Sequence, residues 1–135
     1  FCVERHRSDF ISFISNHVDI LFCNDYEIKS LFQCSIEDAK NNIENLNIET
    51  AITLGSKGSI IFKGGKWFEI EPIDVGNVED TTGAGDLYAS GYLHGRSNNL
   101  DPTMCGKFAS IAASEVISHI GARPKAKLKD LIKNL

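Results

Sequence analysis

Between Val3 and Val18 the apolar residues Val3, Phe10, Ile11, Phe13, Ile14 and Val18 recur mostly at helical spacing among charged ones, which predicts a helix. The pattern then changes. Asp19-Ile20-Leu21-Phe22-Cys23 is a short apolar run of the kind that suits a parallel strand buried on both faces. Asn24 and Asp25 come next, and their short oxygen-bearing side chains favour helix starts, so Glu27–Phe32 is expected to be helical. Ser35 with Asp38 three residues on marks another helix, running to about Leu46. Thr50–Leu54 is the next strand, closed by Gly55-Ser56-Lys57-Gly58, and Ser59–Phe62 resumes the extended pattern. Gly64-Gly65 signals a hairpin, with Trp67–Ile70 as the returning strand. After a connection over Pro72–Glu79, a helix is expected from about Gly83 to His94, with Gly95 near its end. A further helix begins at Pro102, a residue suited to a first turn, and runs through Val116 to about His119, where Gly121 stops it. Lys127–Asn134 has the pattern of a basic amphipathic final helix.

Strands alternating with helices predict an α/β fold with a largely parallel sheet and one antiparallel hairpin. Few strands precede the first apolar one, so the expectation is half of a larger sheet, with an open edge prone to self-association. The 135 residues suffice for one domain with a real core. A formal charge of −4 lacks the basic stripe that a nucleic-acid surface needs. No apolar run approaches the roughly 20 residues that span a bilayer, and no secretory leader pattern opens the chain. Cys2, Cys23, Cys34 and Cys105 show no CxxC pairing, which suits reduced thiols in a cytoplasmic protein.

The chemistry concentrates in one stretch, Asp80-Thr81-Thr82-Gly83-Ala84-Gly85-Asp86, directly before a helical pattern. N–H groups at a helix start are unpaired, and the helix dipole adds partial positive charge there. Glycines let an anion approach those groups, so Gly83, Ala84 and Gly85 have the makings of an anion hole. Asp86 would repel a resting phosphate. It makes sense where a phosphoryl group is being transferred and the carboxylate takes the proton of the attacking hydroxyl. The plainer alternative is an aspartate that merely caps a helix after a flexible loop. Neither GxxxxGK[ST] nor a complete GxGxxG is present.

DTTGAGDLYASGYLHG resembles the C-terminal signature of the ribokinase family, the PfkB-type carbohydrate and nucleoside kinases. Three more pieces stand in the family's order: ILFCNDYEIKSLF resembles its Asn-x-x-Glu helix start, AITLGSKGSIIF its Thr-x-Gly-x-x-Gly nucleotide turn, and ASEVISHIGARP its closing helix and glycine turn. The resemblance implies the C-terminal, nucleotide-binding half of a three-layer, Rossmann-like α/β sandwich. It implies that Asp86 is the catalytic base and Gly83, Ala84 and Gly85 the anion hole. Asn24 and Glu27 correspond to the pair that organises Mg2+ and phosphate, with Glu27 reaching the metal through water, as a hard cation that keeps its waters allows. Thr53, Gly55, Ser56 and Gly58 correspond to the turn along the ATP, and Ser110 stands where many members place an Asn against adenine or ribose. Asp80, Thr82 and Gly121 correspond to a monovalent-cation site, K+ in many members, although Lys125 falls where some of them offer a small hydroxyl residue. Lys57, His94 and His119 are expected to be structural or solvated.

The implied reaction is ATP-dependent phosphorylation of a hydroxymethyl group on a sugar or nucleoside, with a lean towards adenosine-kinase-like members. Nothing here resembles the family's N-terminal glycine pair or lid, and the chain opens at Phe1 rather than methionine. The expectation is therefore one portion, residues 1–135, lacking the acceptor-binding half, inactive alone and a candidate homo-oligomer. The alternative is a nucleotide-binding or interaction module without turnover. A dinucleotide-dependent oxidoreductase half is disfavoured by the missing third glycine.

Overall fold

The computed structural model describes residues 2–133. The chain forms two compact units, one built from the residues up to Gly55 together with Ser59–Phe68, the other from Ser56–Gly58 together with the chain from Glu69 onward.

The first unit opens with α1 (Cys2–Arg5) and α2 (Arg7–His17). The single helix expected over this stretch is interrupted at His6, whose ψ of 34° leaves the helical region. Of the apolar residues on α2, Ile14 is buried, while Phe13 is 58% exposed. Strand β1 (Ile20–Asn24) leads into α3 (Asp25–Phe32), and α4 (Ile36–Leu46) follows. Ser35 caps α4 by accepting from the Asp38 N–H at 3.2 Å. Both helices end on a left-handed residue that is not glycine, Gln33 and Asn47, each at φ 52°.

Strands β2 (Glu49–Thr53), β3 (Ser59–Lys63) and β4 (Lys66–Ile70) complete a four-stranded sheet in the order β1-β2-β3-β4. β1 runs parallel to β2, with Leu21 opposite Thr50 and Cys23 opposite Ile52. β2 and β3 are antiparallel, with Thr53 opposite Ser59. The sheet is thus mixed, not largely parallel as the alternation of elements suggested. The link from Gly55 to Gly58 is too short for a crossover, so β3 must turn back along β2. The middles of both strands, Thr50–Ile52 and Ser59–Phe62, are buried, with Thr50 and Ser59 the buried polar residues at their ends. Ile28, Leu31, Ala39, Ile43, Ile52 and Phe62 form the heart of this unit's core. The half-buried Trp67 lies against Phe62 with ring centroids 5.1 Å apart and donates its indole N–H to Glu44 at 2.6 Å.

The second unit is dominated by α5 (Ala84–Ser97) and α6 (Pro102–Ile117). Asp101 caps α6, accepting from the Thr103 and Met104 N–H groups at 2.9 and 3.1 Å, with Pro102 in the first turn. α5 runs three residues past the expected His94, to Ser97, with Gly95 near its end as expected. A Cβ on Gly91 would lie 2.6 Å from the Phe108 carbonyl oxygen, and one on Gly95 2.9 Å from Cys105 Sγ. These two glycines, one helical turn apart, let the antiparallel helices approach backbone to backbone. Tyr88, Tyr92, Ala109, Ala112 and Val116 are buried with them. α6 ends at Ile117, short of the expected His119, and the chain beyond it holds only the single turn α7 (Leu128–Leu131). The longer final helix expected there is not formed over the described residues, and its last residue, Asn134, lies outside them. No helix among the described residues is long and apolar enough to cross a membrane.

Candidate functional site

In the first unit, Asn24 and Glu27 meet at the start of α3. Asn24 Oδ1 accepts the Glu27 N–H at 2.8 Å, and Glu27 Oε2 accepts the Asn24 N–H at 2.8 Å. The arrangement is a reciprocal capping box that satisfies two orphan donors. Both residues are exposed, and Glu27 Oε1 makes no hydrogen bond with a described residue. Its carboxylate also bears on the neighbouring strand: burial, followed by the Glu27 charge, pushes the Cys23 thiol up to about 12. Such a thiol is inert. Thr53 ends β2, and Gly55 follows at φ +61° in open space.

In the second unit, Gly58 sits at φ +84°, where an added Cβ would be 2.1 Å from the Ile70 carbonyl oxygen, so only glycine fits. Ser56 is exposed, and Ser110 lies half-buried within α6. Asp80, Thr82 and Gly121, far apart in sequence, come together: Asp80 Oδ1 accepts the Thr82 N–H at 2.9 Å and Oδ2 accepts the Gly121 N–H at 3.0 Å. The Thr82 hydroxyl and amide, the Gly121 amide and the nearby His119 hold the Asp80 carboxyl down at about 2. It is an anion throughout the physiological range.

The turn that follows starts α5 in an unusual way. Its N-cap is Gly83 in a left-handed conformation, φ 83°, ψ −1°, and no side chain caps the helix. The Ala84 N–H is partly used, donating to the Thr81 carbonyl at 3.2 Å. No backbone acceptor among the described residues takes the Gly85 or Asp86 N–H. Gly83 is also a packing requirement, since a Cβ there would lie 2.8 Å from Ala122 Cβ. Asp86, three residues after the cap, is exposed and forms no hydrogen bond or ion pair with a described residue. The plain capping alternative for Asp86 is thereby removed. What remains is a helix start with free donors beside a free carboxylate.

One further group was missed by reasoning from sequence. Glu115, in the last turn of α6, accepts the backbone N–H groups of both Lys125 and Ala126 at 2.8 Å on the same oxygen. Its side chain is 9% exposed, and His119 Nε2 lies 3.3 Å away. Burial pushes this carboxyl up, but the Ala126 and Lys125 amides and His119 outweigh it, and the net effect is downward. The one available signal was a lone acid in the otherwise apolar stretch Ile111–Ile117.

Comparison with known proteins places these features in context. Residues 6–128 match the sequence profile of the pfkB family carbohydrate kinases. A probable sugar kinase from Rhizobium etli superposes with a TM-score of 0.95 at 40% identity, covering 99% of this chain and 41% of that protein. The adenosine kinase of Sinorhizobium meliloti superposes at 0.94 with 34% identity, over 99% of this chain and 42% of its own. The ribokinase of Arabidopsis thaliana, solved with ribose and ATP, superposes at 0.78 with 28% identity, over 89% of this chain and 42% of its own. The chain therefore spans well under half the length of these relatives. Their shared α/β fold is the one expected from the order of elements.

Proposed function

The chain belongs to the pfkB family of carbohydrate kinases, and from that premise we propose that its protein transfers the γ-phosphate of ATP to a hydroxymethyl group of a sugar or nucleoside. The observation that carries this reading is the start of α5, where an uncapped, glycine-led helix stands next to an unpartnered Asp86. Asp86 takes the proton from the acceptor hydroxyl as its oxygen attacks the phosphorus, and the bond to the leaving ADP oxygen breaks. The N–H groups of Gly83, Ala84 and Gly85 stabilise the charge spreading over the transferred oxygens. Their placement costs nothing at the moment of reaction, because Gly83 is locked against Ala122. Thr53, Gly55, Ser56, Gly58 and Ser110 are assigned to the nucleotide.

Mg2+ suits the residues assigned to it. Glu27 is exposed and keeps one carboxylate oxygen outside its capping box, which is the donor that a water-clad cation uses. When bound, the ion supplies positive charge to the phosphates. Asn24 and Glu27 therefore orient and hold, each fixed by the other. Asp80, ionised at any relevant pH, is the assigned anchor for a monovalent cation, with Thr82 and Gly121, whose N–H groups it accepts, beside it. The ribose and ATP of the Arabidopsis protein and the name of the Sinorhizobium one support a sugar or nucleoside acceptor.

The test uses the whole natural protein with ATP and a panel of sugars and nucleosides, scored by ADP release and product mass. Phosphorylation of at least one acceptor is expected. Asp86→Asn should lower turnover by on the order of 10²–10⁴-fold while ATP still binds. ATP binding with no product across the panel would support a module without turnover, and undiminished turnover in the variant would remove Asp86 from the base role.

A further inference from the structure

Beyond α6 the chain from Ser118 to Lys127 has neither helix nor strand, yet it is held at both ends by carboxylates. At its near end, Gly121 donates to Asp80 at 3.0 Å, and the Glu79 N–H reaches the Ile117 carbonyl at 2.9 Å. At its far end, Lys125 and Ala126 both donate to Glu115. Between these ties lies Ala122, whose Cβ, Cα and carbonyl oxygen would stand 2.8, 3.1 and 3.2 Å from a Cβ on Gly83. The loop is thus a strap pressed on the residue that sets the direction of the first N–H groups of α5. A nearly buried carboxylate is costly unless hydrogen-bonded, and Glu115 spends its bonds on the strap alone. Its second oxygen, Oε2, has no hydrogen-bond partner among the described residues.

We infer that Glu115 is a positioning residue for the phosphoryl-transfer site. By clamping Lys125 and Ala126 it holds Ala122 against Gly83 and so aims the amides of the Gly83–Gly85 turn. The inference rests on the function proposed above, but its structural half can be tested without it. The clamp works through geometry: one acceptor oxygen at one distance serves two donors. An amide of the same length can replace the carboxylate, and a shorter acid cannot.

The experiment compares Glu115→Gln, Glu115→Asp and Glu115→Ala in the whole natural protein by amide hydrogen exchange and by steady-state kinetics. In Glu115→Ala and Glu115→Asp, exchange should quicken over residues 121–126 and also over 83–86, while the α6 interior at Ala109–Ala112 stays protected. Turnover at saturating ATP should fall by on the order of 10-fold to 100-fold, with the acceptor KM changed less than about twofold. Glu115→Gln should keep both exchange pattern and turnover. Faster exchange confined to 118–126, or an Asp variant that matches the unmodified protein, would overturn the inference. So would a general loss of protection through both helices in Glu115→Asp, which would mark Glu115 as merely structural. Should Glu115→Ala fail to fold, the Gln and Asp pair decides alone. Absence of phosphorylation by the unmodified protein would refute the proposed function and leave the exchange result to judge the clamp.

Discussion

Helices α3 and α5 each carry an acid three residues after the cap, and they use it in opposite ways. At α3, Glu27 turns back onto the Asn24 N–H and closes the helix start. At α5, Asp86 makes no cap hydrogen bond to the bare Gly83 and leaves the start open. The first helix is stabilised locally by its cap. The second gives up the stabilisation of a cap and is held by packing: Gly91 and Gly95 bring it onto α6, and Ala122 backs Gly83. The open start leaves amides and a carboxylate available to other groups, whereas the closed one satisfies its first donors within the chain.

That contrast can be broken at several points. Gly83→Ala should have the largest effect. The left-handed φ of 83° costs an alanine about 1–2 kcal/mol, and the overlap with Ala122 adds about as much, so a loss near 3 kcal/mol is expected in urea unfolding. Turnover should fall with it by on the order of 10²-fold. Gly91→Ala tests the packing that replaces the cap. Overpacking of about 3 kcal/mol, offset by roughly 1 kcal/mol of better helix propensity, leaves a net loss of about 2 kcal/mol. Asn24→Ala should cost about 1 kcal/mol by opening the closed start, without moving the unfolding of α5 and α6. The smallest effect concerns acid. The folded state holds the Glu115 carboxyl below its ordinary 4.5, so its contribution is fully present above that pH and is lost as pH falls through the lowered value. Stability curves of the unmodified protein and Glu115→Gln should therefore run parallel above pH 4.5 and differ in slope below it; parallel curves throughout would deny the carboxylate its charged role.

Much of the fold was legible from local chemistry. Asn24, Ser35 and Asp101 start helices because their side-chain oxygens reach backbone donors two or three residues on, and that depends on neighbours alone. The hairpin at Gly64-Gly65 follows from two residues that accept positive φ. Periodicity was least informative at element boundaries and about strand direction. It ran one helix through His6, and although it placed Gly95 near the end of α5, it could not show that this glycine accommodates Cys105. It also suggested a mostly parallel sheet, although the tight Gly55–Gly58 link reverses the chain.

The candidate site divides in the same way. A run of small residues between two acids, followed by a helical pattern, marked Gly83–Asp86 as a helix start with a carboxylate beside it, because helix-start donors and a carboxylate are local properties. The sequence alone could not distinguish an Asp86 that caps from one that stays free, nor show that Asp80 reaches Gly121 or that Glu115 reaches Lys125 and Ala126. Those outcomes depend on where α6 returns the chain, and that is decided by the close packing of two helices across residues far apart in sequence.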